Sequence, residues 1–379
     1  MKLGDKIQRT WRKLLTPLVG NIPAQGYWSS AWDYYQHYQQ EGLPGLCYYP
    51  YWSTYQEHYP VPRSIYPQPH GAFYWTTVTM PESYWVSLPK ATVLSGRQSV
   101  GSVIAHDGKV IHDSSRQWAN QPEQNEACYH KFPRAIPTEK TIAVLGIGGG
   151  GMNYYHWLTD VLPRIHLLKH GHIWSKIDSF LVDEPSPKLA ITLDILGINP
   201  SQIIYTYHYF TLASPLVVMP QFPRAQYRWR IDFLRETFLP HRDTTATKIE
   251  KIYISRSKAS RRRVLNEAEI LDYLTPLGYV PCWLEDLSFL EQVSLFSQAK
   301  RVIGLHGAGL TNIAWCPPGA RVLEIFPSES IPSYYWVLAS QVGVDYYYLL
   351  SLNFPPLPQD DTVLNLKQFQ QAVEHLETV

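Results

Sequence analysis

The chain has 379 residues and little that would mark a redox, metal-binding or membrane protein. It holds four cysteines, Cys47, Cys128, Cys282 and Cys316, with no C-x-x-C pair and no metal-ligand spacing. They read as buried thiols in a reducing compartment. Nowhere do roughly 18 uninterrupted apolar residues occur, so no membrane-spanning helix is expected. Excess charge is missing too: 33 Lys and Arg against 32 Asp and Glu leave +1, no reason to expect a nucleic-acid partner. Internal repeats and low-complexity tracts are absent. The opening stretch, MKLGDKIQRTWRKLLTPLVG, is basic but lacks the apolar run of a signal peptide. Its Trp11, Leu14, Leu15 and Leu18 suit one side of a short helix, either solvated or resting on anionic lipid. The expected location is the cytoplasm, with room for a peripheral membrane contact through these basic residues.

Aromatic residues are abundant instead. Between Tyr27 and Trp85 there are 18 Tyr, Trp or Phe in 59 residues, broken by Pro44, Pro50, Pro60, Pro62, Pro67 and Pro69. That density is too high for a disordered tail, so residues 1–85 read as an irregular extension packed on the main body. Residues 91–112 carry a hairpin signature around Asp107-Gly108. Strands are expected at about 140–146, 178–183, 202–206 and 212–219, with helices at 154–170, 187–197 and 227–239. After a polar linker at 241–248 the alternation is cleaner. Strands fall at 251–255, 279–284, 301–305, 321–326 and 345–350, with helices at 266–275, 288–299, 309–315 and 333–342, and a final helix at 362–378. The expected fold class is α/β: two Rossmann-like domains, 86–240 and 241–355, whose parallel sheets face a cleft, followed by a C-terminal helix within 356–379.

Two glycine turns compete for a ligand. Residues 142–152, IAVLGIGGGGM, fit G-x-G-x-x-G at Gly146, Gly148 and Gly151, the dinucleotide fingerprint. The acid that should follow about 20 residues on is missing, because residues 166–171 read HLLKHG. These glycines are therefore expected to form a flexible turn presenting the next helix. There Asn153, His156 and Asp160 share one face, which Arg164 extends unless Pro163 kinks or restarts the helix. A carboxylate and a histidine so spaced can remove a proton from a hydroxyl, or can serve as a structural pair.

The second turn, Gly304-Leu-His306-Gly307-Ala308-Gly309-Leu-Thr311-Asn312, follows a buried-looking strand and opens a helix. Bare N–H groups there attract phosphate, and His306 can donate to it. Arg256, and Arg262 within Arg261-Arg262-Arg263, lie past the end of strand 251–255, where a guanidinium suits a diphosphate. Glu324 sits among apolar neighbours and needs a partner, either ribose hydroxyls or a buried cation. The chain has no Asp-x-Asp pair of the kind that holds a divalent ion in many sugar transferases. Together these residues describe a nucleotide-diphosphate site, and no metal is expected in it.

Three segments carry a resemblance: NYYHWLTDVLPRI (153–165), YISRSKASRRRVLNEAEI (253–270) and VIGLHGAGLTNIAWCPPGARVLEIFP (302–327). In them the chain resembles glycosyltransferase family 61. The resemblance implies a GT-B fold and metal-independent, inverting transfer from a UDP-sugar to a hydroxyl of a polysaccharide or glycan, with no cofactor beyond that co-substrate. It places Arg256, Arg262, Asn266, His306, Gly307, Ala308, Gly309, Asn312 and Glu324 on the donor-nucleotide side. Asn153, His156, Asp160 and Arg164 occupy the family's polar helix, with Asp160 the expected base, working directly or through His156. Two alternatives stay open: an NAD-dependent oxidoreductase using residues 146–151, and a non-catalytic carbohydrate-binding or assembly protein.

Overall fold

The computed structural model describes residues 24–95, 102–113, 115, 126–128, 131–147, 150–206, 210–221, 227–353 and 355–378. The basic opening segment and Gly148 lie outside them. The chain divides into two compact units, residues 1–55 with 81–225 and residues 56–80 with 226–379.

The first unit is built on a ten-stranded mixed sheet. Four of its strands, Phe210–Pro220, Ile142–Val144, Ser179–Val182 and Ile203–Tyr205, lie side by side and parallel. The two inner strands, Ile142–Val144 and Ser179–Val182, are buried along their whole length, as the centre of a parallel layer requires, and Ile203–Tyr205 at the edge is half-buried. The expected parallel α/β layer is therefore present, but it is not the whole sheet. Ser83–Ser95 runs antiparallel to Phe210–Pro220, pairing from Phe210↔Ser95 to Pro220↔Trp85. The hairpin expected near residue 108 follows, as Val103–Ile104 and Val110–Ile111, with Gly108 at φ +81°.

The aromatic stretch is not one separate extension. Cys47–Trp52 pairs with Ser83–Ser95, so Tyr48 stacks on Tyr84 and Tyr49 on Trp85. Residues 56–80 instead belong to the second unit. There Arg63–Ser64 adds a strand beside Asp345–Leu350, and Phe73 packs on Trp336 and Tyr348. The rings are packing groups for two different sheets.

The second unit has a six-stranded, fully parallel sheet, in the order Val280–Cys282, Lys251–Ile254, Arg301–Leu305, Arg321–Phe326, Asp345–Leu350, Arg63–Ser64. Helices Glu267–Leu274, Phe289–Phe296 and Tyr334–Val342 make the crossovers. Ser288 and Glu291 form a reciprocal capping box that starts the second of these. Leu366–Thr378 then lays Phe369, Val373 and Leu376 on the sheet residues Ile303, Leu323 and Tyr347. The chain winds outward from Lys251–Ile254 in both directions, so the sheet's topological switch lies between that strand and Arg301–Leu305. Ligands bind at such a switch, outside the carboxyl ends of the strands. Among the described residues no helix is long and apolar enough to cross a membrane.

Candidate functional site

In the second unit the loops after the two switch strands carry most of the expected donor-side residues. Strand Arg301–Leu305 runs into His306, whose N–H donates to Ile325 O at 2.8 Å. Its Nδ1 lies 2.5 Å from Glu324 Oε1, and Tyr346 OH donates to the other carboxylate oxygen at 2.5 Å. Glu324 is fully buried. Its partner is thus the imidazole and not a ribose: it orients His306, which also stacks on Phe326. Burial and the adjacent Glu324 carboxylate push the Tyr346 phenol far up, so it remains a donor.

Gly307 and Gly309 are closely approached by neighbouring side chains. A Cβ on Gly307 would stand 2.8 Å from Arg256 Nη1, and one on Gly309 2.8 Å from Leu284 Cδ1. Residues Ala308–Trp315 form a tight 3₁₀ helix and not an α-helix. Arg256 is clamped by the loop behind it: Nε donates to Arg262 O at 3.0 Å and Nη2 to Arg261 O at 3.1 Å. Burial, helped by the like charge of Arg262, lowers its pKa. Arg262 is held at φ +56°, a strained conformation for a non-glycine residue that recurs at ligand clamps. The structure thus brings Arg256, Arg262, His306, Gly307, Ala308 and Gly309 together around one turn.

Two donor-side expectations are corrected. Asn266 donates to Leu364 O at 3.0 Å and accepts from Leu364 N at 2.9 Å, so it pins the segment before the last helix. Asn312 is fully buried and bonds Gln292 Oε1, Gly309 O and Trp315 Nε1. Both amides are consumed by the fold.

In the first unit, residues 154–170 are helical but not uniformly so. Leu162 N reaches back five residues to Trp157 O at 3.1 Å, making a wide π-helical turn over Trp157–Val161. Pro163 explains it: with no N–H to offer Thr159 O, and a ring that crowds that carbonyl, it restarts the helix as its first residue. His156 Nδ1 sits 2.6 Å from Asp160 Oδ2, the histidine side chain 25% exposed and the carboxylate 9%. The outer member of the pair is therefore His156, with Asp160 behind it.

Asn153 and Arg164 do not share that face. Asn153 caps the helix, its side-chain oxygen accepting from Tyr155 N at 3.0 Å and His156 N at 3.4 Å. Arg164 is 1% exposed and turns inward, donating to Leu145 O, Gly146 O and Pro220 O. Burial lowers its pKa to about 10, so it stays charged at neutral pH, with Asp183, Tyr84 and Asp160 opposing the shift. It ties the helix to the ends of two strands and presents nothing outward.

Asp183 went unassigned in the sequence, although it stands directly after strand Ser179–Val182. Its carboxylate accepts from Ile147 N at 2.8 Å, Gly150 N at 3.2 Å and Thr206 Oγ1 at 2.7 Å. A Cβ on Gly151 would lie 2.0 Å from Glu184 O. These glycines are needed for packing against their own chain, and the described part of the turn is anchored, not flexible. That removes the main support for a dinucleotide site there.

Residues 154–323 match the model of the family described as Glycosyltransferase 61. Protein O-linked-mannose beta-1,4-N-acetylglucosaminyltransferase 2 of Homo sapiens and that of Canis lupus familiaris are each 34% identical over 288 residues, covering 66% of this chain and 48% of the relative. The Xenopus tropicalis protein of that name is 28% identical over 174 residues, covering 42% and 28%. The chain thus spans about half the length of the first two of these curated relatives.

Proposed function

Because the chain belongs to the glycosyltransferase 61 family, we propose that it moves a sugar from a UDP-sugar to a hydroxyl of a glycan or polysaccharide. The observation that carries this reading is the turn His306–Gly309, with the Arg256 guanidinium against Gly307 and His306 locked by buried Glu324. Arg256, Arg262, His306 and the turn's amides take the diphosphate and neutralise the charge that grows on it as the sugar departs. These cations supply that charge without a metal ion, and no cofactor beyond the co-substrate is needed.

Transfer is a single in-line displacement with inversion. The attacking hydroxyl gives its proton to the His156–Asp160 pair, the more exposed imidazole receiving it and the carboxylate stabilising the imidazolium. The two α/β units take the roles of acceptor and donor domains in a GT-B arrangement. Inversion of an α-linked UDP-sugar yields a β product, which agrees with the "beta" in the relatives' names and makes UDP-N-acetylglucosamine the first donor to try. The four free cysteines support a reducing, cytoplasmic setting.

The test is UDP release from a panel of UDP-sugars, with and without candidate glycans. Wild type should release UDP when a suitable acceptor is present. Asp160→Asn should lower turnover roughly 10²–10⁴-fold while UDP affinity stays put. Near-normal turnover in that variant would sink the base assignment. Glycan binding with no UDP released from any donor would replace transfer by recognition alone.

A further inference from the structure

At the edge of the second unit's sheet, strand Val280–Cys282 ends in Trp283, a large ring left only partly buried. Its edge is fixed: Nε1 donates to Ser257 Oγ at 2.8 Å, that oxygen lies 3.1 Å from Ser255 Oγ, and Ser255 bonds both oxygens of Glu267 at 3.0 Å. The Lys258 ammonium stands 5.3 Å from the ring centroid and pairs with Asp286. The next residue, Leu284, is the one that touches Gly309. So the indole is held in place by its hydrogen bond and by the neighbouring Lys258, on the loop that flanks the phosphate-binding turn.

We infer that Trp283 is the platform on which the nucleobase of the donor stacks; this rests on the reading that the chain binds a UDP-sugar. The ring sits at the carboxyl end of the sheet, as the glycine turn does. One strand, Lys251–Ile254, separates the two, so they stand about 10 Å apart at ordinary strand spacing. A nucleoside extends about that far from its diphosphate. An aromatic face stabilises any base without reading hydrogen bonds. Ser257 and Glu267 keep the ring from rotating, so little order is lost on binding.

Calorimetry on the full chain with UDP, and separately with inorganic pyrophosphate, decides it. Trp283→Leu should weaken UDP roughly 5- to 150-fold and leave pyrophosphate unchanged, and Trp283→Phe should recover most of the loss. Unchanged UDP affinity in Trp283→Leu overturns the inference. An equal loss for both ligands also overturns it, because the ring would then be supporting the fold. If the wild type binds pyrophosphate but gains nothing from the nucleoside, the platform is absent. If it binds neither ligand, the glycosyl-transfer reading falls first.

Discussion

Replacing Gly307 by alanine separates the stability of the donor turn from its chemistry. Gly307 has φ 172°, extended backbone that any residue adopts, so the substitution brings no backbone strain. The new methyl would lie 2.8 Å from Arg256 Nη1 and 3.4 Å from its Cζ. To restore ordinary carbon contact, the guanidinium must retreat by roughly 0.7–1.2 Å. It is the far end of a flexible side chain, so the fold should lose or gain less than about 1 kcal/mol. The retreat, however, disturbs the bonds at 3.0 and 3.1 Å that aim Arg256 from behind. Losing one charge-assisted hydrogen bond to a diphosphate costs about 1.5–3 kcal/mol, or roughly 10- to 150-fold in Kd. Titration calorimetry with UDP, beside thermal melts, reads both quantities. Arg256→Ala completes a double-mutant cycle: if Gly307→Ala acts through Arg256, the double variant binds UDP no worse than Arg256→Ala alone. Additive losses, or Gly307→Ala binding UDP like wild type, would refute the reasoning.

Two other variants probe the first unit. Gly151→Ala places a methyl 2.0 Å from Glu184 O, a backbone atom that cannot swing away, so it should cost about 3 kcal/mol or more; a thermal midpoint within about 2 °C of wild type would contradict that packing. His166 has its pKa lowered to about 4, first by burial and then by His170 and Lys169. Its neutral form is the folded one, so its contribution is full above about pH 6.5 and is lost as the pH falls toward 4, where the unfolded chain takes the proton first. After discounting for the exposed part of the ring, wild type should lose about 1–2 kcal/mol more than His166→Gln between pH 7 and pH 4.5, by urea melts. Parallel losses in the two proteins would show that the ring titrates normally.

The second unit was legible because its strands are buried on both faces and its helices on one, and those two periods do not mimic each other. RVIGL, RVLEIF and DYYYLL were placed at the bounds the structure gives them. The antiparallel strand Ser83–Ser95 was not legible over its first residues. Its SYWV opening lies within the aromatic stretch, and its partner is more than a hundred residues away. In the candidate site, residue type and spacing found the pair His156–Asp160 and the turn His306–Gly309. They could not tell a polar side chain that faces a ligand from one that the backbone consumes. Asn153, Asn266 and Asn312 each satisfy main-chain groups: Asn153 and Asn312 do so within their own helices, and Asn266 does so on a segment 98 residues further along the chain. Arg164 failed for a local reason: Pro163 forces a wider turn, and helical arithmetic past it no longer holds.

The excursion of residues 56–80 into the second unit bears on how the protein is made. Arg63 bonds Tyr347, and Tyr66 bonds Leu350, partners 284 residues further along the chain. While the protein is being synthesised, this aromatic segment has no sheet to join until nearly the last strand has left the ribosome. Such high contact order slows folding and leaves Phe73, Trp75 and Tyr59 in need of shelter meanwhile. A fragment beginning at residue 226 would lack its sixth strand and the ring that plugs Trp336, whatever chaperone is supplied.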